Sequence, residues 1–173
     1  MLYAWIKIIH IISASVLFGT GIGTAFYMFY VNLQNDIKLI AKATAIVVIA
    51  DWLFTLPSGL TQAITGFILI YLKGYSLLSF WVVGSILGYV IAGACWVPVV
   101  WLQMRCRDLA YFASENKLSL PYEYKKYFKI WWLLGIPAFI SLVGVFYLMV
   151  NQPSTMRLFL VYPSKLVYGI PIY

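Results

Sequence analysis

Residues Lys38–Leu72, KLIAKATAIVVIADWLFTLPSGLTQAITGFILIYL, decide how this chain folds. Lys38, Lys42 and Asp51 are its only Lys, Arg, Asp or Glu, and nothing in it interrupts a helix before Pro57. Taken as one helix, the stretch would measure roughly 50 Å, longer than a bilayer is thick. Taken as two, an interfacial helical segment at 38–50 precedes a span that begins near Asp51-Trp52. The second reading is preferred, because Trp52 then sits at one headgroup boundary and Tyr71 with Tyr75 at the other. On that reading Asp51 is an interfacial cap. On the first it is a buried acid and a candidate proton or cation site.

Apolar runs of the same kind lie on both sides. Ile8–Asn35, Trp52–Leu72, Gly74–Met104 and Ile130–Met156 contain no Asp, Glu, Lys or Arg, and each exceeds the roughly 20 residues needed to span hydrocarbon. They predict an all-α, four-helix transmembrane bundle with helices at about 4–31, 51–72, 78–103 and 129–150. The bundle occupies residues 1–150, and a proline-containing tail, 151–173 (Pro153, Pro163, Pro171), follows on the outer side. The first run lacks a basic leader and an A-x-A site, so it is expected to be retained as a span.

Composition agrees. Hydrophobic residues make up 64% of the chain and charged residues 10%, a balance that excludes a soluble domain, a disordered tail and a disulfide scaffold. The net charge of +7 sits between the apolar runs, which argues for a lipid-bilayer partner and against nucleic acid. Lys38, Lys42, Arg105, Arg107, Lys117, Lys125, Lys126 and Lys129 fall in the two long connections. Lys7, Lys73, Arg157 and Lys165 fall on the other side. That asymmetry puts the long connections in the cytoplasm and both termini outside. Aromatic residues gather near both sets of helix ends, as interfacial anchors do. Cys95 and Cys106 form no CxxC pair or Cys/His cluster, so neither structural zinc nor a disulfide is expected.

Ser15, Gly19 and Gly23, and again Gly84, Gly88 and Ala92, recur four apart. Small residues at that spacing let helices approach closely, within the bundle or across a homodimer. Pro57, Pro98 and Pro137 lie near one depth. Their kinks would splay the bundle toward the cytoplasm and free the carbonyls of Leu53, Ala94 and Leu133; structural kinking alone is the preferred account, with a cavity there as the alternative. No repeat, GxSxG, Walker loop, HExxH or dinucleotide fingerprint occurs, and the loops are too short for an extramembrane catalytic domain.

His10, the sole histidine, is the sharpest chemical lead, with Lys7 one turn before it. A membrane-embedded imidazole ligates metal or haem, relays a proton, or is satisfied by neighbours such as Tyr3 and Gln62. One histidine cannot supply two axial ligands, so haem would be five-coordinate, take Met or Lys, or bridge a dimer. Gln62 and Thr65 fall at the depth of His10, and the three could form one interhelical polar cluster.

Three stretches, LYAWIKIIHIISASVLFGTGIGTAF (2–26), ADWLFTLPSGLTQAITG (50–66) and GACWVPVVWLQMRCRDLA (93–110), carry a resemblance. They resemble bacterial integral membrane proteins of domain-of-unknown-function family 2269 over about residues 2–150. The likeness implies four helices, a bacterial inner (cytoplasmic) membrane, and importance for His10, Asp51, Trp52, Pro57, Gln62, Gly66, Trp96, Pro98 and Arg107. The Lys7-x-x-His10 opening with Gly19 beyond it is also distantly similar to haem-binding membrane protoporphyrinogen oxidases and to copper-resistance membrane proteins. The Leu-Pro-Arg-Leu stretch that ends this helix in the oxidases is replaced here by Ala25-Phe26-Tyr27-Met28. What that similarity implies is haem b or porphyrin bound through His10, with Lys7 meeting a propionate, in a redox-associated protein. The alternatives are a cofactor-free assembly subunit packing on itself or a larger membrane complex through its glycine faces, and copper or small-solute transport past Asp51.

Overall fold

A computed structural model describes residues 1–153; most of the expected tail, 154–173, lies outside them. Four long helices run antiparallel in sequence: α1 (Leu2–Leu33), α2 (Ile37–Lys73), α3 (Phe80–Glu115) and α4 (Tyr122–Asn151). All four are long and apolar enough to cross a membrane, and no strand occurs among the described residues. Short turns join them. Asp36 accepts from the backbone N–H groups of Lys38 and Leu39 to cap the start of α2. Gly74, with φ +67°, closes the end of α2 in the left-handed conformation that glycine adopts without a Cβ clash.

The expected break at Asp51 is not there. Helix α2 runs unbroken from Ile37 at about 1.5 Å per residue, and its first part packs Ile40, Ala43, Thr44 and Val47 against α1 and α3 rather than lying apart from the bundle. The helix instead widens into a π turn over Asp51–Thr55, where the Leu56 N–H reaches the Asp51 carbonyl. Pro57 explains the change of register. It has no N–H to offer the preceding turn, yet suits the first turn of the α-helical segment that resumes at Leu56. Asp51 is consequently no interfacial cap. It is 4% exposed, inside the bundle.

Two other expectations change at this end. The connection expected between about 103 and 129 is mostly helix: Leu102, Cys106, Ala110 and Ala113 extend a buried stripe along α3, and Tyr124 buries itself opposite at the start of α4. The proline kinks do not splay the bundle here either. Met28, Val31, Ile40, Val47, Leu102, Cys106, Tyr124 and Trp131 belong to one continuous core contributed by all four helices. The Tyr124 hydroxyl donates to Asn32 Oδ1 at 2.8 Å and ties α4 to the end of α1.

Toward the Lys73 end the backbones are close in pairs, α1 with the later part of α2 and α3 with α4. Side chains join the pairs. Phe18 packs between Phe139 (centroids 5.2 Å apart) and Phe146 (5.3 Å), and the Tyr89 hydroxyl donates to the Gly59 carbonyl at 2.5 Å. Ile8, Ile12, Leu60, Ile64, Leu87 and Ile140 point outward and are exposed, a surface that only lipid accommodates. Lys73 Nζ lies 4.6 Å from the Tyr3 ring centroid, and Gly84 near the start of α3 meets Leu148 near the end of α4. Leu2 and Asn151 therefore sit at the same end.

The two glycine stripes part company. A Cβ on Gly84 would lie 2.7 Å from Leu148 Cδ1, and one on Gly88 would lie 2.8 Å from Val145 Cγ2 and 3.4 Å from the Ser141 carbonyl oxygen. That face is occupied by α4 and is unavailable to a second copy. Among the described residues nothing lies within 4 Å of such a Cβ on Gly19 or Gly23. Gly88→Ala should destabilise the detergent-solubilised protein by about 1–3 kcal/mol. Gly84→Ala should cost less, because the end of Leu148 can rotate aside while β-branched Val145 and a backbone carbonyl cannot. Thermal unfolding of both variants checks the order.

Candidate functional site

From Asp51 onward the buried polar residues of α2 lie on one line. Asp51, Thr55, Ser58, Gln62 and Thr65 are separated by four, three, four and three residues, and every one is buried. A helix repeats a face at that spacing, so the row forms a polar seam of about 21 Å along the axis at 1.5 Å per residue. Some of its members satisfy themselves locally. Ser58 Oγ donates to the Phe54 carbonyl at 2.5 Å, as such hydroxyls do in apolar surroundings.

At one end of the seam stands His10. Its Nδ1 lies 2.8 Å from Thr65 Oγ1, which in turn lies 2.5 Å from the Thr61 carbonyl oxygen. A hydroxyl has one proton, and a carbonyl can only accept. The Thr65 proton therefore goes to Thr61, and Nδ1–H of His10 donates to Thr65. In the neutral ring Nε2 then keeps its lone pair, and among the described residues the one hydrogen bond of the ring is the one at Nδ1. The His10 backbone is pinned as well: Gln62 Nε2 donates to its carbonyl at 2.5 Å and Ser13 Oγ at 3.1 Å. Gly66 makes room for the ring, since a Cβ there would be 3.4 Å from His10 Cε1.

The expected cluster of His10, Gln62 and Thr65 is thus brought together, with Gln62 on the backbone rather than the ring. Lys7 is exposed one turn from His10 on the same side of α1 and touches no partner among the described residues. Asp51 stands at the other end of the seam. Thr55 Oγ1 donates to its Oδ1 at 2.8 Å, and the Gln103 amide of α3 approaches the same carboxylate. Among the described residues no group of three or more His, Cys, Asp or Glu could hold a metal ion. Sequence reasoning missed Ser13, Thr55, Ser58, Tyr89 and Gln103. The spacing of the polar residues after Asp51 would have indicated Thr55 and Ser58; nothing local marks Gln103, at the very end of the expected third span, as buried.

The family of predicted integral membrane proteins DUF2269 matches residues 4–153, and the chain belongs to it. No curated protein and no solved structure matches the chain.

The ring assignment has a direct test, because one histidine gives an unambiguous nitrogen spectrum. In 15N-histidine-labelled protein above the imidazole titration, Nδ1 should be the protonated nitrogen. Thr65→Val should abolish that preference and destabilise the bundle by about 0.6 kcal/mol, the size of an average interhelical hydrogen bond in a membrane. A dominant Nε2–H form in the unaltered protein would refute the geometry.

Proposed function

We propose that this four-helix membrane protein holds a ligand through His10, and that the ligand is haem b or a porphyrin in a redox-associated role in the bacterial inner membrane. The observation that carries the reading is the state of the ring. Nδ1–H is engaged by Thr65, which fixes the tautomer and orientation, and Nε2 is left as a free lone pair. That is the arrangement by which an outer-shell partner prepares a histidine to ligate a metal. The residues fit one axial ligand. His10 would hold the iron, and Lys7, exposed on the same side, would meet a propionate. Haem would supply one-electron chemistry at this end of the bundle, while Gln62, donating to the His10 carbonyl, keeps α1 in register against α2.

Gently purified protein should show a Soret band near stoichiometric with the chain. His10→Ala should remove it, and Thr65→Val should weaken haem retention about 10- to 100-fold, the usual cost of losing an outer-shell partner. Colourless protein that also fails to take up added haem would defeat the reading.

A second reading, an assembly subunit that packs on itself or on a larger membrane complex, is favoured by the Gly19/Gly23 face, which has no neighbour within 4 Å of an added Cβ among the described residues. Under it Gly19→Leu and Gly23→Leu would dissociate the assembly on native mass spectrometry and leave the monomer folded. A protein monomeric in lipid nanodiscs before substitution would overturn it. Copper transport gains nothing from the arrangement of ligating side chains among the described residues.

A further inference from the structure

We infer that the π turn of α2 houses an internal site for a small monovalent cation, a proton or a sodium ion, held by Asp51 of α2 and Gln103 of α3 with Thr55 in support. Two buried acceptors there have no partner among the described residues. Asp51, 4% exposed, has Oδ1 engaged by Thr55 and nothing on Oδ2. Gln103, 3% exposed, places its amide beside that carboxylate and has nothing on Oε1. Buried polar atoms in proteins are almost always paired, so two orphans on adjoining side chains need an explanation. What both oxygens lack is the same thing, a proton donor or a compact positive charge. The oxygen-only donor set with one formal negative charge suits a hard cation and not a soft metal.

The surroundings supply no countercharge. Between His10 and Tyr27 helix α1 carries no ionisable side chain. The cations of α2, Lys38, Lys42 and Lys73, are exposed, and Lys73 lies at the far end by Tyr3. On α3, Arg105 lies over the Trp101 ring, Arg107 pairs with Asp108 at 2.8 Å, and Cys106 is buried in the core. An ionised carboxylate left unpaired in such a place is costly. The helix backbone is itself irregular here. Pro57 withholds the N–H that the carbonyl of Leu53 would use in an α register, or that of Trp52 in a π register. Irregular backbone of this kind within a membrane helix is tolerated where it lines a polar site. The inference does not rest on His10, which lies at the opposite end of the seam.

The experiment is isotope-edited infrared spectroscopy of the full chain in detergent at pH 7, with aspartate carboxyls carrying 13C, in sodium chloride and in choline chloride. The chain has three aspartates, and Asp36 and Asp108 are exposed, so only Asp51 is expected to differ. A protonated-carboxyl C=O band present in both salts identifies a proton. A band lost only in sodium chloride, together with a sodium-specific rise in Tm that Gln103→Leu removes, identifies sodium. Asp51→Asn should remove the band, but the measurement on the unaltered chain stands even if that variant fails to fold. Three carboxylate signals with no protonated band and no difference in Tm between the salts would overturn the inference.

Discussion

In hydrocarbon a polar group has no water to fall back on, and every one that enters must find its partner within the protein. The architecture of this chain follows from where α2 keeps its polar side chains. Asp51, Thr55, Ser58, Gln62 and Thr65 can be buried together only if that face turns to the centre of the bundle. Once it does, Leu60, Ile64 and Phe67 are committed to lipid, and α1 must bring His10 to meet Gln62 and Thr65. Polar pairing thus fixes the rotation of α2 and the register of α1. The hydrophobic effect cannot, because lipid tails are as apolar as leucine.

The π turn belongs to the same constraint. Thr44, Val47, Asp51, Thr55 and Ser58 are all buried, and two consecutive steps of four separate Val47 from Thr55. Over eight residues a regular helix at 3.6 per turn overshoots the starting face by about 80°. Widening the helix at Asp51–Thr55 absorbs the extra residue and keeps the buried stripes before and after it on one side. Pro57 places the widening where the N–H ladder is already interrupted. Asp51 is then held in the bundle by the geometry that lets α2 continue.

Much of this was legible in the sequence. The four spans follow from runs without charge, which depend only on composition and length. The meeting of His10 with Gln62 and Thr65 followed from matching depths on antiparallel neighbours. The continuity of α2 did not. A helix of Ile37–Lys73 exceeds one bilayer, and Trp52 suggested an interface where the structure has a bulge with Trp52 exposed beside it. Length was a poor guide, because α3 and α4 extend alongside and supply Leu102, Cys106 and Tyr124 as an apolar wall for the early turns of α2. Those partners are more than fifty residues away in the chain, and no local pattern announces them. The step from Val47 to Asp51 to Thr55 was visible, but it reads as a π turn only once all three positions are known to be inside.

The two ends of the seam differ in the chemistry they leave open. At His10 the local bonds complete themselves: Thr65 accepts from Nδ1, Thr61 accepts from Thr65, and Gln62 and Ser13 serve the backbone, which leaves one lone pair outside the set. At Asp51 the set does not close, because Thr55 satisfies one oxygen and the neighbouring amide leaves its own oxygen unpaired. A surplus donor lone pair on nitrogen attracts a soft or borderline centre, whereas surplus oxygens attract a proton or a hard ion. Between them Ser58 spends its hydroxyl on its own helix, and the Tyr89 hydroxyl is spent on the Gly59 carbonyl. The seam is therefore not a continuous wire of free hydroxyls. It joins two separate polar groups along one helix face, and any coupling between them would have to pass through the rotation and register of α2.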